Sequence, residues 1–119
     1  MIPITTVATS IFLCTRPTDM RKAYDGLHGE VISFMGQNPT SGHLFVFVNK
    51  RRDRMKILVW DRHGFWLLCK RLEAGRFQLP ASVDPLCHSA TLTAEQLLMV
   101  LEGIDLNSVR MRRRYRQIL

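Results

Sequence analysis

The sequence predicts an α+β fold: an antiparallel four-stranded β-meander packed against one N-terminal helix, with a C-terminal helix and a basic tail. Three observations predict it. Apolar residues recur at helical spacing between Met20 and Met35. From His43 to Pro80 the period changes to two, interrupted by short polar turns. Thr93 then opens a second apolar helical run, and arginines crowd residues 110–116.

A first strand is expected at "SIFLCT", and Pro17 stops it. Thr18 or Asp19 can cap a helix from about Asp19 to Met35. On that helix Met20, Ala23, Tyr24, Leu27, Val31, Phe34 and Met35 fall within an arc of roughly 120°. That stripe is a core face; Asp25 is expected outside it, paired with Arg21 four residues earlier. Gly36 closes the helix, and "QNPTSG" turns the chain.

The meander is expected as "HLFVFV", "RMKILVW", "FWLLCKRL" and "RFQLP". "NKRRD", "DRHG" and "EAG" join its strands, with Gly64 free to take positive φ. Cations alternate with apolar residues in two strands, so one sheet face should be at least partly solvated. Residues 81–92, with Pro85, read as a linker. Thr93 and Gln96 form a capping-box pattern ahead of Leu97, Leu98, Val100 and Leu101, and Gly103 ends the helix. Residues 1–106 thus read as a single domain, and 107–119 as a basic segment, helical or frayed.

Charge says more about function than composition does. The chain has 119 residues and a net charge of +7. Residues 43–77 hold nine Lys/Arg against Asp53, Asp61 and Glu73, and residues 110–116 hold five Arg and no acid. Such clustering points to a polyanion. Lys50, Arg51, Arg52 and Arg54 stand at a hairpin tip where they can reach phosphates; Lys56, Arg62, Lys70 and Arg71 continue the pattern along the strands. Arg110, Arg112, Arg113, Arg114 and Arg116 make a second basic element. Trp60, Phe65 and Trp66 either pack in the core or stack on bases.

Other chemistries have little support. No apolar run approaches the roughly 18 residues that span a bilayer, so no membrane is expected. The apolar N-terminus lacks a basic region ahead of it and does not read as a secretory signal. Three dispersed cysteines, Cys14, Cys69 and Cys87, suit buried thiols in a reducing cytoplasm, not a disulfide framework. Cys87, His88, His63 and Cys69 lack the spacing of a metal site, and neither metal nor cofactor is expected. A metal-dependent nuclease would need Asp53, Asp61 and Glu73 to converge, yet the two aspartates sit in turns, where Asp is common for backbone reasons. No nucleophile or phosphate-loop motif occurs.

Three stretches, "RPTDMRKAYDGL" (16–27), "SGHLFVFVNKRRDRMKILVWDRHGFWLLCKRLEAGRF" (41–77) and "LTAEQLLMVLEGID" (92–105), resemble one known family. It comprises the small accessory proteins encoded by the second open reading frame of a large group of bacterial insertion sequences, the TnpB-type accessory proteins. The resemblance runs through Pro17, Thr18, Asp19, Met20, Arg21 and Lys22, then Asp25 and Gly26, then Trp60, Asp61 and Gly64. It continues in Lys70, Arg71, Leu72, Glu73, Gly75, Arg76 and Phe77. It implies a role in transposition beside a separately encoded transposase that carries the catalytic acids, and it brings no catalytic residues. The expected partners are transposon DNA and that transposase. A nuclease subunit and a purely protein-binding adaptor are the competing readings.

Overall fold

The computed structural model describes residues 9–105, except 82 and 85, together with 110 and 111. Its elements are β1 (Ile11–Cys14), α1 (Tyr24–Ser33), β2 (Leu44–Val48), β3 (Arg54–Asp61), β4 (Gly64–Arg71), β5 (Ser89–Leu92), α2 (Ala94–Glu102), β6 (Ile104–Asp105) and β7 (Arg110–Met111). The α+β class holds, but the sheet is mixed and five-stranded, ordered β4-β3-β2-β1-β5. Strand β1 runs parallel to β2, with α1 in the crossover between them; the other neighbours are antiparallel.

Three strands of the expected meander, β2 to β4, are present. The fourth is not. Residues 76–80 form no ladder: the Phe77 amide donates to the Arg52 carbonyl in the β2–β3 turn at 2.7 Å. Phe77 is nevertheless fully buried, with Leu79 beside the same core. Alternating apolar residues serve an extended strap across a sheet as well as a strand within it, which is why the pattern misled. The missing partner comes from the supposed linker, whose last residues form β5 and pair with β1.

Both sheet faces are covered over β2 and β3. The partial solvation expected from the alternating cations falls mainly on β4, where Trp66, Cys69, Lys70 and Arg71 are exposed. Phe45, Phe47 and Leu58 pack with Leu27, Val31 and Met35 on the α1 side. Leu44, Val46, Met55, Ile57 and Val59 pack with Leu97 and Val100 of α2 and with Phe77 on the other. Helix α2 forms as its sequence indicates, with the reciprocal Thr93–Gln96 capping box and a left-handed Gly103.

Helix α1 starts at Tyr24, not Asp19, because the carbonyls of Met20 and Lys22 accept from the Lys56 ammonium at 2.8 and 2.7 Å. The first part of the expected stripe therefore lies outside the helix. Leu27 and Val31 are fully buried, whereas Tyr24 is 47% exposed. Ala23 is exposed too and caps without a side-chain hydrogen bond. Gly26 is explained by close approach: a Cβ there would lie 3.0 Å from Lys22 Cβ and Cγ. Ile104–Asp105 pairs with Arg110–Met111, so no helix runs unbroken from Asp105 through 111. The remaining tail residues lie outside the described ones. Among the described residues no helix is long and apolar enough to cross a membrane.

Candidate nucleic-acid interface

The β2–β3 turn is wired by Asn49. Its Oδ1 accepts from the amides of Asp53 and Arg54 at 3.1 and 3.0 Å, and its Nδ2 donates to Asp53 Oδ1 at 2.7 Å. The Arg52 amide donates back to the Asn49 carbonyl, and Arg52 takes a left-handed φ of 59°. Glycine or asparagine would adopt that conformation at lower cost. From outside, the Leu72 amide donates to the Asp53 carbonyl at 2.7 Å, and Phe77 anchors on Arg52 as described. Residues 72–77 are thus a strap that clamps the tip, with Gly75 at φ 76° making its bend.

The clamped tip presents Lys50, Arg51, Arg52 and Arg54, all exposed. None of the four has a carboxylate within ion-pair distance among the described residues. The acid in their midst, Asp53, is held below its usual pKa, first by the Asn49 hydrogen bond and then by the fields of Arg51 and Arg54. It stays ionised as a structural acceptor. Arg71 faces Arg54 across the β3–β4 ladder and binds Glu73 at 2.9 Å. Between these cations and the Thr18–Met20 loop runs an open groove of about 420 Å³.

That loop is fixed from three sides. Glu30, buried on α1, accepts from Arg16 Nη2 at 2.7 Å and from Lys22 Nζ at 3.2 Å, while Lys56 holds the carbonyls of Met20 and Lys22. The Arg16 hydrogen bond is the main cause of the lowered Glu30 pKa. Arg16 also lies 3.9 Å over the Phe34 ring. At the surface Arg21 binds Asp19, not Asp25, and holds the Asp19 carboxyl at a pKa of about 2. Asp19 therefore closes a turn and does not cap a helix. The loop motif Arg16 to Lys22 is mainly a device for docking this segment against α1 and β3.

The structure divides the remaining sequence candidates. The Lys56 ammonium is occupied by two carbonyls, and Lys70 Nζ donates to the Leu101 carbonyl at the end of α2, at 2.9 Å. Both have intramolecular work. Arg62 lies at the opposite end of the β3–β4 hairpin from the tip; it, and not Gly64, takes the positive φ, 59°. Arg76 is exposed on the strap. Arg110 is placed only as part of β7, and Arg112, Arg113, Arg114 and Arg116 lie outside the described residues.

Trp60 and Phe65 meet edge to face at 5.0 Å, and His28 packs on Phe65 at 5.6 Å. Trp66 is 41% exposed, and its Nε1 donates to Asp61 Oδ2 at 3.3 Å. These aromatics sit at the far end of β3 and β4 from the basic tip. Asp53 and Asp61 flank the eight-residue β3 at its two ends, roughly 25 Å apart, and Glu73 is engaged by Arg71. The three acids of the nuclease reading do not converge. Cys14 is buried, and burial pushes its thiol up in pKa; Cys69 and Cys87 are exposed, contrary to expectation. Sequence reasoning passed over Asn49 and Glu30. An Asn four residues before an Asp across a turn was a signal for the first; nothing local marked the second.

The family model described as "IS66 Orf2 like protein" matches residues 9–111. The chain is 34% identical over 100 residues, covering 84% of it and 83% of the relative, to "Uncharacterized protein y4jC" of Sinorhizobium fredii (strain NBRC 101917 / NGR234). It is 33% identical over 95 residues, 80% of each chain, to "Uncharacterized protein y4hO" of the same strain. No solved structure is significantly similar.

Proposed function

The chain belongs to the IS66 Orf2-like family of insertion-sequence proteins, and from that premise we propose that it is a non-catalytic accessory factor that binds transposon DNA and the separately encoded transposase. The observation that carries the DNA half is the tip: four exposed cations with no carboxylate within ion-pair distance among the described residues, on a turn wired by Asn49 and strapped by residues 72–77. A fixed turn spends little conformational entropy on binding, and guanidinium groups match phosphate geometry. The contacts expected are to the backbone, so affinity falls steeply with salt.

Catalysis is left to the transposase on this reading, because Asp53, Asp61 and Glu73 each have a structural partner and Asp61 lies at the opposite end of β3 from the other two. The expected place of action is the cytoplasm, where free thiols persist. Titrating labelled duplex DNA with the purified protein at increasing salt, with and without Mg²⁺, tests the proposal. Salt-sensitive binding with the DNA left intact supports it. Metal-dependent cleavage by the pure protein would replace it with the nuclease reading.

A further inference from the structure

Strand β4 is the edge of the five-stranded sheet, with β3 on one side and no partner on the other among the described residues. It faces β3 in one unbroken register, from Asp61↔Gly64 to Arg54↔Arg71, with no bulge. Alternate residues of an antiparallel strand turn their N–H and C=O groups outward, so this edge offers a regular row of donors and acceptors. Edges are commonly blunted by proline, by bulges, by shortness or by charge. Between Gly64 and Cys69 β4 has none of these, whereas the opposite edge, β5, is four residues long. Both cores also end unfinished here. Phe65 and Leu67 on the α1 side and Leu68 on the α2 side are only partly buried, and Trp66 is 41% exposed. One more strand would cover them all.

Charge decides what that strand is. Arg62 stands at one end of the edge, and Lys70 and Arg71 are exposed at the other, with Arg54 paired across from Arg71. A second copy would bring the same cations and a net charge of +7 to this surface, which repels. A nucleic acid supplies anions but cannot extend a peptide ladder. We propose that the outer edge of β4 receives, by strand addition, an extended segment of another protein in which acidic side chains alternate with apolar ones. The backbone supplies the pairing, and Phe65, Trp66, Leu67 and Leu68 take the apolar residues. The exposed Arg62 selects an acid at one end; Lys70 and Arg71 do so at the other by exchanging their solvent-exposed contacts to the Leu101 carbonyl and to Glu73. This deepens the protein-partner half of the function proposed above and does not depend on the DNA half.

The test uses the full chain and measures hydrogen exchange of backbone amides with a synthetic peptide of about eight residues alternating Glu and Val. Exchange at alternate residues of β4 should slow by about tenfold or more at saturation. A peptide with Lys in place of Glu, or with a central proline, should leave β4 unprotected. Equal protection by either control would overturn the proposal, as would acidic-peptide binding that protects the Lys50–Arg54 turn and spares β4. So would outward-facing β4 amides already slow in the free protein, which would mean that the chain itself or a second copy covers the edge. Protection of β4 by duplex DNA alone would assign the edge to nucleic acid instead. If an Arg51→Ala variant loses DNA affinity while β4 protection by the peptide persists, the two functions are separate, and failure of one leaves the other standing.

Discussion

The guanidinium of Arg16 grips the buried carboxylate of Glu30 with two hydrogen bonds, Nη2 to Oε1 at 2.7 Å and Nε to Oε2 at 3.3 Å. Lys22 adds a third at 3.2 Å, so both ends of the Arg16–Lys22 loop converge on one acid. Glu30→Gln keeps the shape but removes the charge, and should destabilise by about 1–2 kcal/mol, Arg16 being half-exposed. Because the folded pKa of Glu30 is depressed, its contribution is present above the ordinary value of 4.5 and is lost as pH falls through the folded pKa. Urea denaturation should therefore show the gap between wild type and Glu30→Gln narrowing as pH drops below 4.5. A gap independent of pH would mean that the charge is immaterial.

Leu27 is fully buried at the centre of the α1-side core. Leu27→Ala should cost about 2–5 kcal/mol in thermal or chemical unfolding. Gly26→Ala, one position earlier, should fail to stabilise despite alanine's helix advantage of about 1 kcal/mol, because its Cβ meets the Lys22 stem at 3.0 Å. A raised melting temperature for Gly26→Ala would show that Lys22 is free to move aside.

Asn49→Ala removes both acceptor bonds to the turn amides and the donor to Asp53. It should destabilise by about 1–3 kcal/mol and loosen the basic tip. Amide exchange at Asp53 and Arg54 should accelerate well beyond the global effect. Unchanged exchange there would mean that the strap alone holds the turn.

Asp61 accepts from Trp66 Nε1 at the hairpin end remote from Asp53. Asp61→Asn keeps an acceptor there while removing a potential metal ligand. Transposition frequency in cells should stay within a few-fold of wild type. Complete loss with folding intact would revive the nuclease reading.

Particular residues explain how far the sequence could be read. The Thr93–Gln96 box and Gly103 act within a few residues of each other, so α2 was legible from its caps. The β2–β4 hairpins were legible because the period of two and the polar breaks agree, although Arg52 and Arg62, and not Gly64, take the left-handed turn positions. Local rules failed wherever a distant group settled the matter. The Lys56 ammonium, more than thirty residues away, holds the carbonyls that would otherwise start α1. Phe77 and Leu79 alternate like a strand, but their backbone goes to Arg52. At the candidate site the cation cluster was visible as composition. Its division was not: neighbouring cations in the sequence prove to be a clamped tip at Lys50–Arg54, intramolecular anchors at Lys56 and Lys70, and Arg62 at the far end. Strand alternation and hairpin length decide that, and both depend on pairing.

The central claim is that the tip binds DNA phosphates, and it is tested most directly by the salt dependence of duplex binding for wild type and for an Arg51→Ala/Arg52→Gly variant. Glycine suits the left-handed backbone at residue 52, φ 59°, so the variant should remain folded, a point that its unfolding curve checks independently. Each lost phosphate contact should reduce the slope of log affinity against log salt by about 0.9, so the double change should flatten it by close to 2 and weaken binding at low salt. Affinity and slope equal to wild type, in a variant that folds normally, would contradict the account and leave protein binding as the function of this chain.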